Sequence, residues 1–541
     1  MEDVKDKNKM SPQTFLKRAK NPEAAGVSSR AVADLVEDFK ASGLDIHSLM
    51  ILRRGEVAYE SFAAPYSPET PHTMYSVSKS FTSTAIGFAI EEGLLTLDTP
   101  ILEIFPEHRP SAPDEYLETM TIRHLLNMTA GKSVSFLVDR TGDTWVQDFF
   151  QAKWKSAPGE VFNYVNENIY MLCAVLHRVT GMTVSEYLTP RLYDPLGYGR
   201  VPYWETDPGG IESGGWGLFA TTEELAKMAL CYQQGGKFNG KQVVPENWVR
   251  EATKKQVETS DIRETLDGEA GYGYCFWRNH IENSFRLDGM FSQFGIVLED
   301  YDAVIVTTGG EILSQNTRDC IWRHFPAGFT DEVEEDIPES LPSLRAFDEL
   351  PALPRSPYEK IITGRVMKTQ RNRLFEIMTM PLSILPVAVL YMSADKAGGV
   401  DQISFSFDVD ECFITWSEGD ETNTVACGMD GIPRRTPMRL AGIDWTASCT
   451  AAWTEEKTLS FWLRPLEAAC QRRVDFVFDG FDAEVYFTTS PPNRKVLHAI
   501  AENVDELIVN PAASKAAKGV IENAYRLIEP TLKGRLQRRE E

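Results

Sequence analysis

The chain reads as an α+β protein: an antiparallel sheet flanked by helices and carrying a helical subdomain, followed by a C-terminal β-rich domain. Three observations predict this. Strand-like runs stand on both sides of a helical middle, the apolar period changes to two after about residue 270, and a stretch of proline and acid separates a second series of short apolar runs.

Residues 29–43 carry Val32, Leu35, Val36 and Phe39 at helical spacing, and HSLMILRRGEVAYESFAA (47–64) reads as two strands joined at Arg54-Gly55. From Ser76 to Glu92, small residues and apolar positions at i, i+3 and i+4 predict a helix, with Gly93 placed to end it in the left-handed conformation. Roughly 100–250 is helical and loop-rich. It includes a helix from about 167 to 179 closed by Gly181, and TTEELAKMALCYQQGG, in which Thr221 and Glu224 form a capping box. GYGYCFWRN, SFRLDG, SQFGIVLED and DAVIVTTGG are then consecutive strand-like runs and DCIWRHF a closing helix, so N- and C-terminal pieces share one sheet.

From Ala327 to about Tyr358 no regular period survives, as in a linker or an extended surface wrap. The uncharged stretch Ile377 to Met392 is shorter than the roughly 20 residues of a spanning helix and holds Pro381 and Pro386, which favours buried strands. Short β runs over 400–490 have the spacing of an antiparallel sandwich or barrel, and a helical tail is expected from about 494 to 535. The expected division is 1–27 as an N-terminal extension, 28–326, the linker 327–360, and 361–541.

With 55 basic and 79 acidic residues the net charge is −24, which excludes a general nucleic-acid binder, because neutralising phosphates needs a basic surface. A hydrophobic content of 43% is more than a disordered acidic chain carries, so the chain can bury a core. The eight cysteines are scattered without a CxxC pair and read as reduced core thiols. The eight histidines are dispersed, and neither a metal nor a cofactor is expected. Met1 to Met10 is polar and charged with no apolar run of the signal-peptide kind behind it, so a cytoplasmic protein without membrane contact is expected.

Ser76-Val77-Ser78-Lys79 is an S-x-x-K sequence at a helix start, where three residues bring the lysine to the same face as the serine. A serine hydroxyl attacks an acyl carbon only when a base takes its proton, and a lysine one turn away can do so or relay the proton. The helix start also offers unpaired N–H groups to an oxyanion. Alone the motif is weak, since a chain of this size holds on the order of one by chance. A second copy, Ser393 to Lys396, opens no helix and is assigned to a loop. Tyr164-Val165-Asn166 strengthens the first copy. A phenol beside an ammonium has its ionised form favoured, so Tyr164 can serve as base and then acid, while the Asn166 amide orients the lysine or the substrate.

These motifs, with the runs MYSVSKSFTS, TIRHLLNMTAG (121–131), PGEVFNYVNENIYMLCAVLHRVTG (158–181), GGWGLFATTEELAKMALCYQQGGKFNGKQVVPENWV, GYGYCFW and DGMFSQFGIVLEDYDAVIV, resemble the serine β-lactamase-like hydrolases over about 28–326. The nearest branch is that of class C β-lactamases, penicillin-binding-protein-like esterases and nylon-oligomer hydrolases. The resemblance implies a β-lactamase/transpeptidase-like fold with the site between sheet and helical subdomain. It also implies Ser76 as nucleophile, Lys79 as its activating partner, Tyr164 as general base and Asn166 as the amide that closes the network. The third motif, Lys or His, any residue, then Gly, aligns with Leu287-Asp288-Gly289. There Gly289 leaves room for substrate, and the Met290 N–H joins that of Ser76 as an oxyanion hole. Leu287 departs from the pattern: with no cation to hold a substrate carboxylate, β-lactam and stem-peptide substrates are disfavoured. Arg286 is expected on the opposite strand face. Asp288 is expected in a structural hydrogen bond, and Gln293 either lines the cleft or makes a turn contact.

The leading expectation is therefore a serine hydrolase acting on a small-molecule ester or amide. The alternatives are a transacylase, a D-amino-acid peptidase or β-lactamase on the same site, and a non-catalytic binding protein on the same scaffold. The C-terminal β-rich half has no assignable motif and reads as a stability or dimerisation module, which leaves a homo-oligomer open.

Overall fold

The computed structural model describes residues 10–112, 114–133, 145–260, 265–332, 340–345, 353–369, 383–385, 399–492, 494–495, 515, 519 and 531–538. The chain forms two compact units, Met1–Ala63 with Ser67–Arg345, and Ala64–Tyr66 with Ala346–Glu541.

In the first unit α1 (Ser29–Ala41) begins at Ser28, whose hydroxyl accepts from the Ala31 amide. The hairpin of β1 (Ile46–Arg53) and β2 (Glu56–Phe62) turns at Arg54-Gly55, as the sequence predicts. The short β3 (His72–Thr73) leads into a single turn, Tyr75–Val77, and α2 (Ser78–Glu91). Next come α3 (Asn166–Thr180), ended by left-handed Gly181, then β4 (Leu218–Ala220), paired with β3, and α4 (Thr222–Gln233) with its Thr221–Glu224 capping box. The unit closes with β5 (Trp277–Arg278), β6 (Ser284–Gly289), β7 (Gln293–Leu298), β8 (Ala303–Gly309) and α5 (Ser314–His324).

The sheet order β2–β1–β8–β7–β6–β5 is antiparallel throughout and places N- and C-terminal strands side by side. On one face Leu49, Ile51, Ile296 and Ile305 join Val32, Leu35, Val36 and Phe39 of α1 and Ile321 of α5 in one cluster. On the other face Leu225 and Ala229 of α4 sit against Gly295, whose missing side chain lets the helix approach. Helix α2 is buried from Ser78 to Ala89 although it is rich in hydroxyls. Burying them is tolerable because each finds a partner: Ser80 donates to Cys275 O, Ser83 to Tyr274 O and Thr82 to Gly214 O, and Thr84 pairs with the Tyr232 hydroxyl.

One expectation needs correction in this unit. The GYGYCFWRN run is a strand only at Trp277–Arg278, because Gly271 and Cys275 take positive φ and break the extension. Within the expected N-terminal extension, Arg18 pairs with both Glu60 and Glu223, the Val57 amide donates to Lys17 O and the Ala19 amide to Val57 O.

The second unit is a barrel of β9 (Arg365–Thr369), β10 (Val400–Phe407), β11 (Glu411–Glu418), β12 (Glu421–Gly428), β13 (Arg434–Leu440), β14 (Ile443–Glu455), β15 (Thr458–Pro465), β16 (Gln471–Asp479), β17 (Asp482–Ser490) and β18 (Leu532–Arg538). The order is β12–β11–β10–β9–β18–β17–β16–β15–β14–β13. The β12/β13 seam is held by side chains: Asn423 exchanges two hydrogen bonds with the Arg439 backbone, and the Ala426 amide donates to Thr436. Alternate residues, such as Ile414, Trp416, Phe405, Trp445, Phe461, Phe476 and Val485, fill the interior.

Of the helical tail expected over 494–535, all but 494–495, 515, 519 and 531–535 lies outside the described residues, and 532–538 forms a strand between β9 and β17 that supplies both with backbone partners. Ser393 to Lys396 and all of Ile377 to Met392 except 383–385 lie outside the described residues. Among the described residues no helix is long and apolar enough to cross a membrane, and all eight cysteines are free and buried.

Candidate active site

Strand β3 and helix α2 meet at Ser76. The Met74 amide donates to Leu218 O and the Leu218 amide to Ser78 Oγ, so β4 pins both ends of the turn. Ser76 keeps partial exposure, whereas Lys79, one helical turn on, is fully buried. Its Nζ lies 2.8 Å from Ser76 Oγ, 2.7 Å from Asn166 Oδ1 and 2.6 Å from Gly215 O. Three acceptors match the three N–H bonds of an ammonium. The same contacts fit an amine that accepts from the Ser76 hydroxyl and donates twice.

Tyr164 and Asn166 come from the end of the loop before α3 and from the helix's first residue. The Tyr164 ring stands 4.8 Å from Lys79 Nζ and is flanked by Trp277 at 5.6 Å and, edge-on, Tyr272 at 6.0 Å. Structure thus brings together the four residues on which the sequence reading rests. Beside them, burial pushes the Cys275 thiol up to about 12, against the opposing pull of Lys79, which keeps it protonated at neutral pH and a poor rival to the serine.

The third-motif strand departs from expectation. Leu287 is fully buried on the α4 side, where its Cδ1 and those of Leu225 and Ala229's Cβ surround Gly295, so it is core and not a wall facing substrate. Arg286 points to the other face as alternation requires, donating to Asp288 Oδ2 at 2.6 Å, Arg278 O at 2.5 Å and Asn279 Oδ1 at 2.9 Å. Asp288 makes the expected structural contact and also pairs with Arg318 at 3.5 Å. Gln293 takes the turn role: its amide donates to Met290 O, Phe291 O and Gly309 O, and it has no exposed surface with which to line a cleft. The space beside Gly289 is filled by the chain itself, because an added Cβ would stand 2.4 Å from Met74 O. The glycine therefore serves the close approach of β6 to the Ser76 turn. Met290, the next residue, is 43% exposed.

The sequence reading missed three contributors. Gly214 and Gly215 let their turn press onto α2 and α3, with added Cβ atoms at 2.2 Å from Cys173 Sγ and 3.1 Å from Asn166 Cβ, and this brings the Gly215 carbonyl to Lys79. The paired glycines were the available signal. Tyr75, with φ +46°, gave none, because a bulky residue is a poor candidate for the left-handed region. Among the described residues no group of three His, Cys, Asp or Glu is placed to hold a metal ion.

Comparison with known proteins places this geometry in context. The family model described as Beta-lactamase matches residues 31–308. A 6-aminohexanoate-dimer hydrolase of Paenarthrobacter ureafaciens is 27% identical over 217 residues, 37% of this chain and 55% of that protein. The match thus spans about half the length of that relative. A Beta-lactamase of Escherichia coli is 22% identical over 268 residues, 44% of this chain and 69% of that one. Among solved structures, an octameric penicillin-binding protein homologue from Pyrococcus abyssi aligns with a TM-score of 0.45 at 18% identity, covering 84% of this chain and 97% of the other.

Proposed function

On the premise that the chain belongs to the Beta-lactamase family, we propose that it is a serine hydrolase cleaving small neutral esters or amides through an acyl-enzyme on Ser76. The observation that carries this reading is the buried Lys79 Nζ, 2.8 Å from a partly exposed Ser76 Oγ and held by Asn166 and Gly215, with Tyr164 alongside.

In the first step Ser76 Oγ bonds to the acyl carbon, its proton passes to the Lys79–Tyr164 pair, and the carbonyl electron pair moves onto oxygen. Main-chain N–H groups of Ser76 and Met290 donate to that oxyanion. As the intermediate collapses, the alcohol or amine leaves with the proton delivered through Tyr164. Water then attacks the acyl-enzyme, gives its proton to the same pair, and the acid departs as Ser76 recovers its hydrogen.

Neutral substrates are favoured because Arg286 is engaged on the other face and the exposed side chain after Gly289 is the apolar Met290. The net charge of −24 disfavours anions in the same direction. Amides are kept in the class beside esters because a relative bears the name 6-aminohexanoate-dimer hydrolase.

Fluorophosphonate labelling with peptide mapping tests the nucleophile, and label on Ser78 or Ser393 in place of Ser76 would overturn it. The substrate class is tested by kcat/KM for p-nitrophenyl esters and anilides against penicillins. Faster β-lactam hydrolysis than for every neutral ester would show that another residue holds the carboxylate.

A further inference from the structure

Two bulky residues of the first unit adopt backbone conformations that L side chains rarely take, and they touch each other. Tyr75 has φ +46° and Phe291 φ +63°, with Ser292 at φ +69° completing the loop between β6 and β7. Short hairpin loops ordinarily fill left-handed positions with Gly, Asn or Asp. Here the positions hold an aromatic and a serine, and the Tyr75 and Phe291 rings lie 5.1 Å apart, both buried. Strained residues persist only where the surroundings over-determine them.

Their places in the chain give the strain its meaning. Tyr75 immediately precedes Ser76 and Phe291 immediately follows Met290, the two residues whose amides the mechanism above assigns to the oxyanion. Further contacts fix the second segment. Gln293 Nε2 donates to Met290 O at 3.2 Å, Phe291 O at 3.1 Å and Gly309 O at 2.8 Å, tying the loop to β8. Ser292 Oγ pairs with Thr317 Oγ1 at 2.9 Å, and its carbonyl accepts from Thr307 at 2.8 Å. At Gly289 the strand end lies against Met74 O, where an added Cβ would be only 2.4 Å away. The two amide-bearing segments are thus locked to one another through side chains that face the core.

We infer that Tyr75, Phe291 and Gln293 are positioning residues that set the spacing and direction of the Ser76 and Met290 N–H groups, so that the oxyanion site exists before substrate arrives. The inference rests on the proposed acyl-enzyme at Ser76. Preorganised donors act on the charge that develops in the transition state, so loosening the clamp lowers kcat while leaving ground-state binding in place.

The test uses Phe291→Ala, Phe291→Leu and Gln293→Ala in the full chain, with Tyr75→Phe and Phe291→Tyr as conservative partners that keep the ring contact. Fluorophosphonate titration counts competent sites, so that kcat for p-nitrophenyl butyrate is expressed per labelled Ser76 and any misfolded fraction drops out. Removing one oxyanion donor outright costs ~10²–10³-fold. Misaligning one is expected to lower kcat per site by roughly 10–100-fold, with KM within about twofold and affinity for a boronic acid transition-state analogue falling in parallel. The conservative variants should keep activity near that of the unmodified protein. Should Phe291→Leu and Gln293→Ala retain kcat per site within about twofold while Ser76 is still labelled, the clamp plays no part in positioning. Failure of the unmodified protein to label at Ser76 would instead remove the acyl-enzyme reading beneath it.

Discussion

Lys79 in the first unit and Glu418 in the barrel are both sealed from solvent, yet their surroundings differ in kind. Lys79 is met by three oxygen atoms, one of them on a partly exposed serine. Glu418 accepts from the Ile384 amide and Trp416 Nε1, and burial pushes its carboxyl up to about 8. Backbone strain divides the same way. In the first unit Tyr75, Cys275, Phe291 and Ser292, four of nine non-glycine residues with positive φ among those described, stand around the site, whereas Ala441, at the β13–β14 turn, is the one such example among the described residues of the barrel. A buried amine that reaches a partly exposed hydroxyl beside a strained turn is arranged for chemistry. A buried carboxyl that holds an interior backbone amide is arranged for packing.

The sharpest way to break this contrast is at Ser76. Ser76→Ala should abolish labelling and turnover, and Lys79→Ala and Tyr164→Phe should each lower kcat by roughly 10²–10⁴-fold. If the two act as one unit, the double variant should be little worse than either single, and strict additivity in the cycle would separate their roles. Next in size, Gly289→Ala drives a Cβ into Met74 O. Overpacking of this kind costs about 1–3 kcal/mol, to be read as a loss of kcat accompanied by a lower Tm.

Stability against pH should respond with opposite signs in the two units, and neither response should reach kcat. His72 in β3 is buried against His47 Nδ1 at 2.8 Å with Asp45 beyond, and burial, aided by His47, pushes its pKa down from 6.5 to about 3. The folded chain then binds fewer protons than the unfolded one, so this contribution is complete above pH 6.5 and is lost as pH falls toward 3. Glu418 is raised from 4.5 to about 8, so its contribution is complete below pH 4.5 and is lost as pH rises through 8. Either group can contribute a slope of at most about 1.4 kcal/mol per pH unit. Denaturant unfolding across pH should show the alkaline slope flattened in Glu418→Gln with kcat unchanged. A drop in kcat would mean that the barrel's interior is coupled to turnover.

How much was legible in advance follows from the range of the forces involved. The β1–β2 hairpin, the Thr221–Glu224 cap and the Gly181 stop depend on neighbours in sequence, and all three stand where the pattern predicts. The Ser76–Lys79 pair was readable for the same reason, since one helical turn fixes their relation. Tyr272 illustrates the opposite case. Its run alternates like a strand, but φ +105° at Gly271 and φ +68° at Cys275 break the extension and the ring closes on Tyr164 and Trp277.

By itself, then, the sequence determined the helix starts and stops, the strand alternation that sends Arg286 away from the α4 face, and the spacing that sets Lys79 beneath Ser76, because each is decided within a few bonds. Only the tertiary structure decided that Leu287 is core, that Gly289 makes room for Met74 O and not for a ligand, that Gln293 holds a loop, and that 532–538 is a strand. Those outcomes depend on which segment occupies the adjacent space, and residues as far apart in the chain as 74 and 289 settle that only when the packed core brings them together.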